Sequence, residues 1–431
     1  MSGSVLAHPR GRVLIPVQTR APLDLRRWWG LAALVGLLPL FGETFAYVVD
    51  LPPVYALAKA WPLLTLPLAV LGVATVKAPG MKLVLLALAW MVGVTPLVSM
   101  ATLGDSLGGA LSGTIKLWSL AGVLSLSAVL AWLKPEARTL EQSVHILGFT
   151  TFALMGLIFL LTPPEAYLKG IEETKIFLWD EDRGARLNLP MFFAVLWVFL
   201  LNRRFWARPS LLPPLLIGAA FVLMLLIYKQ RTQIAGAAGI VILAPVIQWG
   251  RRRGGWFGIL IGLALVAAPF LIAVAGSHDT AASLGGSLTE RQREYSAGIG
   301  FLNDQPLRWL IGAGGATRAG EVDLASVVGT GYFFTSDIGW VGVVFEYGVV
   351  GAALMLALHL VALRTGWRAA EGGSPLAWAL FDYCLYLLLT SPVLSVVFAP
   401  GELATCLALM GALAVGAGTA GAAPRSSRAK N

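Results

Sequence analysis

Charge is scarce in this chain: Asp, Glu, Lys and Arg together make up 13% of 431 residues, against 57% hydrophobic ones. Soluble domains carry about 25% charged and about 45–50% apolar residues, so a chain of this composition has too little polar surface to cover a soluble core. Histidine and cysteine are scarce too, at four and two residues. Cys384 and Cys406 both fall in apolar stretches and read as small core hydrophobes rather than a disulfide framework. No cluster of His, Asp and Cys has metal-ligand spacing, so neither a metal nor another cofactor is expected. No repeat, heptad or low-complexity tract stands out, and no A-x-A cleavage site closely follows the first apolar stretch, so no removable signal peptide is expected.

What the chain has instead is long uncharged runs of roughly 20 residues, the length a helix needs to cross about 30 Å of hydrocarbon. About twelve such spans can be drawn. They cover residues 29–49, 53–76, 82–100, 113–132, 144–161, 187–201, 212–228, 234–249, 256–275, 338–360, 376–396 and 403–420. The sixth is short and contains Pro190. The expectation is an all-α polytopic membrane protein. It has an N-terminal tail over 1–28, one transmembrane domain over 29–420 and a C-terminal tail over 421–431.

The excess of Lys and Arg, +9 overall, is explained by the positive-inside rule without invoking nucleic acid. With the N-terminus cytoplasmic, inner segments hold Arg26, Arg27, Lys77, Lys82, Lys134, Arg138, Arg203, Arg204, Arg208, the Arg251–Arg253 triplet, Arg364 and Arg368. Outer loops hold most of the acids: Asp180, Glu181, Asp182, Asp304, Glu321 and Asp323. Both termini are therefore expected in the cytoplasm, with the protein in an inner membrane. Two outer loops, about 162–186 and about 276–336, exceed the roughly 15 residues beyond which loops are usually functional or disordered. The second carries Trp309, Tyr332, Phe333 and Phe334, too aromatic for a linker, and is expected to form a folded cap with short helices between spans nine and ten.

Arginine on the outer side runs against the charge rule, and there it collects. Arg183 and Arg186 lie at the start of the sixth span, and Lys229 and Arg231 sit between two apolar helices. Arg291 and Arg293 belong to the large loop. A guanidinium is a planar, permanent cation suited to phosphate oxygens, so arginines converging at the outer interface would suit a lipid-linked diphosphate. The alternative is that each pairs with a nearby acid or snorkels to a headgroup. Asp337 and Glu346 lie nine residues apart and would share roughly one helix face. Asp337 is either a helix N-cap or a general base, and Glu346 either a structural ion pair or a site residue. His278 is an alternative base. Lys59, Lys116, His145, Asp382 and Glu402 read as structural pairing groups. The run Gly312-Ala313-Gly314-Gly315 looks like a phosphate loop but lacks the following Lys-Ser/Thr.

Taken in order, these outer features resemble the bacterial O-antigen polymerase and O-antigen ligase superfamily. Arg183-Gly184-Ala185-Arg186-Leu187-Asn188 is similar to that family's arginine before a Gly- and Asn-containing helix start. Gln230-Arg231-Thr232 resembles its arginine at a helix opening. Arg291, with Pro306-Leu307 through Gly312-Ala313-Gly314, resembles its large-loop element. Ser336-Asp337-Ile338-Gly339-Trp340 and Glu346-Tyr347-Gly348 resemble the close of that loop, except that Asp337 stands where many members have His. The resemblance spans roughly residues 180–351 and implies a membrane glycosyltransferase with a GT-C-like fold. Its donor would be a glycan on a polyprenyl diphosphate (undecaprenyl in bacteria). Its acceptor would be another lipid-linked repeat unit for a polymerase, or lipid A core or a protein for a ligase. By the same resemblance Asp337 and Arg231 are catalytic, and Arg183, Arg186, Arg291, Lys229, Glu346 and Tyr332 bind diphosphate or glycan. The departure at Asp337 favours a polymerase over a ligase. Other partners would be membrane lipid and a chain-length regulator. A lipid-linked oligosaccharide flippase is the rival from another class; such a transporter would more often show repeats and matched broken helices, and neither stands out here.

Overall fold

The structure is a computed structural model describing residues 25–46, 48–168, 174–180, 183–252, 286–315, 322–331, 333–395, 397 and 399–421. His278, Tyr332, the expected ninth span, residues 1–24 of the N-terminal tail and residues 422–431 of the C-terminal tail lie outside the described residues.

Helices dominate. The first half comprises α1 (Leu25–Phe41), α2 (Pro52–Leu64), α3 (Leu66–Thr75), α4 (Met81–Leu88), α5 (Thr95–Leu103), α6 (Leu107–Gly113), α7 (Gly122–Leu133) and α8 (Ala137–Leu161). A wide turn over Ala89–Val94 runs α4 into α5, and a tight turn over Ile115–Ala121 leads into α7. Next come α9 (Phe192–Ala207), α10 (Leu212–Leu223) and α11 (Arg231–Arg252). The described part of the large loop holds α12 (Gly286–Asn303), α13 (Pro306–Ile311) and α14 (Leu324–Val328), as a folded cap requires. The chain closes with α15 (Gly339–Ala369), α16 (Pro375–Thr390) and α17 (Pro400–Gly421).

Among the described residues six helical stretches are long and apolar enough to cross a membrane, and four shorter helices are apolar too. Large apolar side chains such as Trp132, Leu160 and Leu211 stand on the outside, 80% or more exposed, as a lipid-facing surface requires. This is an α-helical membrane protein. In hydrocarbon every backbone polar group must find its partner within the chain, and a helix does this residue by residue. Proline supports that arrangement by sitting in the first turn of α2, α3, α10, α13 and α16, where its absent N–H is not needed.

The sixth expected span is displaced. Residues 187–190 are not helical, and α9 begins at Phe192, because Leu187 is taken up as the last residue of a strand and Pro190 disfavours helix in the residue before it. From Phe192 through Arg203 every residue of α9 is buried, so this helix is the axis of the bundle. It packs against α8, α10, α11 and α16. A second departure from the all-α expectation is a small antiparallel hairpin, β1 (Phe177–Asp180) with β2 (Gly184–Leu187), in register Leu178 to Arg186.

One end of the bundle is tied by charge. Arg203 is 3% exposed and bonds Asp382 through Nε (2.6 Å) and Nη2 (2.5 Å), while Nη1 donates to the Ala244 carbonyl at 2.9 Å. Its guanidinium also stacks on Trp378 at 4.7 Å. Arg203 is therefore interior glue between α9, α11 and α16, not the loop charge expected from the topology rule. Between α9 and α8, Arg204 pairs with Glu141 at 2.6 Å and the Trp197 indole donates to His145 at 2.7 Å. At the other end lie the hairpin, the α10–α11 turn, the start of α15 and the start of α17.

Candidate functional site

The glycine run and the Glu-Tyr-Gly motif prove to be two halves of one backbone crossing. Ala313 N–H donates to the Phe345 carbonyl at 2.7 Å and Gly314 N–H to the Glu346 carbonyl at 3.2 Å. These carbonyls are released from helical bonding because Gly348 breaks α15 with φ 68°. A Cβ on Gly348 would overlap the Leu310 carbonyl, and one on Gly312 would meet the Glu346 carbonyl and the Gly348 nitrogen. The run is thus a close-packed strut against a kinked helix, which accounts for its glycines without any phosphate.

Glu346 lies on that crossing and is 1% exposed. Lys116 Nζ donates to both its oxygens, at 3.0 and 2.8 Å, and the Thr335 hydroxyl donates to Oε1. The structural reading of Glu346 is the one its geometry supports. Asp337 faces elsewhere. It closes a tight turn over Thr335–Asp337, takes the Phe334 carbonyl on its backbone N–H at 3.0 Å, and lines a cavity. The two carboxylates do not share a face, because the chain turns at Ile338–Gly339 between them. Nor does Asp337 cap α15: the residue at the cap position is Ile338, and no side chain bonds there.

The cavity has a volume of about 370 Å3. Its walls come from six separate stretches and from His359 of α15. Asn188 to Phe192 lead out of the hairpin into α9; Tyr228 and Gln233 flank the α10–α11 turn; Ser336 and Asp337 precede α15. Tyr383, Tyr386, Leu387 and Thr390 belong to α16, with Leu394 and Ser395 just after it. Glu43, after α1, and Glu402, in the first turn of α17, complete the lining. Tyr383 donates to Glu402 Oε2 at 2.7 Å, and the Gly401 amide donates to Glu43 Oε2 at 2.9 Å. Tyr228 donates to Gln233 Oε1.

The expected cations stand on the elements that frame this cavity. Lys229, in a left-handed conformation at φ 56°, donates to the carbonyls of Arg183 (2.7 Å) and Ala185 (2.9 Å) and so fastens the hairpin to the α10–α11 turn. That is a positioning role, not a direct ligand contact. Arg186, on the hairpin, is within electrostatic reach of Tyr228. Arg231 is the first residue of α11 and exposed; Gln233, two residues on, is the one that lines the cavity. Arg291 lies on α12 within electrostatic reach of Tyr295, whose hydroxyl bonds the Pro392 carbonyl at 2.6 Å. Burial raises the Tyr295 hydroxyl above its ordinary pKa, which keeps it a donor. Glu294 accepts from the Phe334 amide at 3.0 Å, and the Ser395 amide donates to the Ser336 carbonyl at 3.0 Å, so α12 and the post-α16 turn both brace the Asp337 segment.

Sequence reasoning had Glu402 as a structural pairing group, which the Tyr383 bond supports, but not as a cavity residue. Glu43, Tyr383 and Tyr386 carried no expectation: a tyrosine within an apolar helix has no signal that separates core from lining. Lys116 and Asp382 are paired as expected. Among the described residues no group of three or more His, Cys, Asp or Glu could hold a metal ion.

Fold and site together define an α-helical membrane protein with a cavity at one end of its bundle, lined by tyrosines and carboxyl groups among apolar side chains. Neither a family model nor a curated protein matches this chain.

Proposed function

We propose that this protein is a bacterial polysaccharide polymerase. It transfers glycan repeat units from a polyprenyl-diphosphate donor to another lipid-linked glycan at the periplasmic face of the inner membrane. In this reading the chain has twelve spans and a GT-C-like arrangement, both termini are cytoplasmic, and the cavity end is periplasmic. The observation that carries the proposal is convergence. Two segments singled out by the superfamily resemblance, at Asn188 and at Ser336-Asp337, are far apart in sequence and line one cavity, where Gln233, just beyond the Gln230-Arg231-Thr232 element, joins them. A volume of about 370 Å3 lies within the roughly 300–1,000 Å3 of small-molecule sites.

The chemistry follows from the groups around that cavity. The Asp337 carboxylate takes the proton of an acceptor hydroxyl as its oxygen attacks the anomeric carbon. The bond from that carbon to the diphosphate oxygen breaks, and the diphosphate leaves with the electron pair. Attack opposite to the leaving group inverts the anomeric centre. Arg183, Arg186, Arg231 and Arg291 offset the charge that develops on the diphosphate. Lys229 keeps the hairpin that carries two of those arginines in place.

The test is glycan chain length in a deletion strain complemented with wild type or Asp337→Asn. Long polymer with wild type and single repeat units with the variant support the reading. Full-length polymer that stays on the lipid carrier in the deletion strain would make the protein a ligase. Lipid-linked units trapped on the cytoplasmic side would make it a flippase, and the site roles would fall.

A further inference from the structure

The large loop meets the spanning helices at a second concavity, which shares no lining residue with the Asp337 cavity. It has a volume of about 430 Å3 and lies between α5 and α13. Leu97, Val98 and Ala101 form one wall, and Leu307, Arg308 and Ile311 the other. Leu97 and Leu307 are more than half exposed, so the protein does not seal the groove. The α5 wall is the end of the spanning stretch Met81–Leu103. The end of an apolar span sits at the membrane–water interface, where headgroup phosphates lie.

Arg308 is held there in one orientation. Its guanidinium stacks on the Phe301 ring at 4.0 Å, and Nη1 donates to the Phe301 carbonyl at 2.9 Å. That leaves the edge formed by Nε and Nη2, the same edge with which Arg203 grips Asp382. At Arg308, Nε is buried, and neither nitrogen has a hydrogen-bond partner among the described residues. A desolvated donor without a partner is costly, and a planar fork matches two oxygens of one phosphate. The other polar lining residues, Thr102 and Gln305, are neutral. Asp105, just past α5, is turned against Gly109 of α6 and does not line the groove. Asp304, four residues before Arg308, is 71% exposed, and its Oδ2 stands 3.7 Å from Nη1, too far for a hydrogen bond.

From this arrangement we infer that the α5–α13 groove binds one phospholipid whose headgroup carries a primary ammonium. An acyl chain lies along Leu97, Val98 and Leu307, the phosphodiester takes the Nε–Nη2 edge of Arg308, and the ammonium reaches Asp304. A free phosphate would fill the fork but leave the apolar walls uncovered. A quaternary ammonium has no N–H for the Asp304 carboxylate, and a glycerol headgroup offers it only neutral hydroxyls. Such binding does not depend on glycan transfer.

The test is native mass spectrometry of the full chain released from nanodiscs of phosphatidylethanolamine, phosphatidylglycerol and phosphatidylcholine in equal parts. One phosphatidylethanolamine stays on the protein, retained about twofold to fivefold over the other two, the range expected of an exposed ion pair. Excess inorganic phosphate does not displace it. Arg308→Met lowers retention of all three lipids about tenfold, as the loss of charge-assisted hydrogen bonds implies. Asp304→Asn is the second variant, for the case that Arg308→Met, which loses its bond to the Phe301 carbonyl, does not fold. The Asp304 side chain makes no hydrogen bond among the described residues, so thermal stability stays at wild type while the preference for phosphatidylethanolamine disappears. Equal retention of the three lipids by wild type, no retained lipid, displacement by phosphate alone, or an unchanged preference in Asp304→Asn overturns the inference. A lipid-free dimer overturns it too, since a second copy would then cover the groove.

Discussion

Breaking the Arg203–Asp382 pair from one side should cost far more than removing it altogether. Both side chains are essentially unexposed, at 1% and 0%, and the guanidinium fork fills both carboxylate oxygens at 2.5 and 2.6 Å. Asp382→Ala leaves a buried cation with the Ala244 carbonyl and the Trp378 face but no counter-charge. Stranding one member of a buried pair costs about 3–5 kcal/mol. Arg203→Met strands the carboxylate instead and also loses the stacking on Trp378, which is worth about 0.5–2 kcal/mol. Arg203→Met combined with Asp382→Leu removes both charges, and replacing a buried pair with apolar groups is often close to neutral. The double variant should therefore be more stable than Asp382→Ala alone. The assay is unfolding in mixed micelles with increasing SDS, followed by tryptophan fluorescence, since Trp378 reports on the pair directly. Single-variant losses that simply add in the double variant would refute the reasoning, as would singles that match wild type.

Three further outcomes follow from the same geometry. Lys116→Met leaves the Glu346 carboxylate with the Thr335 hydroxyl as its remaining side-chain donor, so thermal stability in detergent should fall by about 3–5 kcal/mol; Lys116→Arg should fall less. Gly348→Ala forces a side chain into φ 68° against the Leu310 carbonyl, and the monodisperse fraction on size-exclusion chromatography should collapse. Lys229→Ala releases the hairpin carbonyls of Arg183 and Ala185, so limited proteolysis should cut residues 177–187 faster while the helical core stays intact.

Much of the fold was legible because hydrocarbon imposes so few solutions. Runs of apolar residue at spanning length marked the helices, and proline at their first turns agreed with the boundaries. The failures have physical causes. Leu187 reads as apolar helix but is a strand end, since a hairpin of four-residue strands has no periodicity long enough to register. Arg203 reads as a loop charge because sequence does not reveal that Asp382, on a helix 179 positions away, meets it inside the bundle. At the site, Asp337 and the Asn188 segment were visible because polar residues stand out beside apolar spans. Glu346 stood out for the same reason, yet its partner Lys116 lies in the other half of the chain. The tyrosines of α16 were invisible, because lining a cavity and packing a core require the same residue there.

The most direct measurement is glycosyl transfer by the purified full chain in nanodiscs, given a polyprenyl-diphosphate-linked repeat unit and analysed by mass spectrometry. The account predicts lipid-linked products lengthened by whole repeats, one free polyprenyl diphosphate for each bond formed, and loss of both with Asp337→Asn. Donor that stays intact with wild-type protein, or products that form equally with Asp337→Asn, would contradict it.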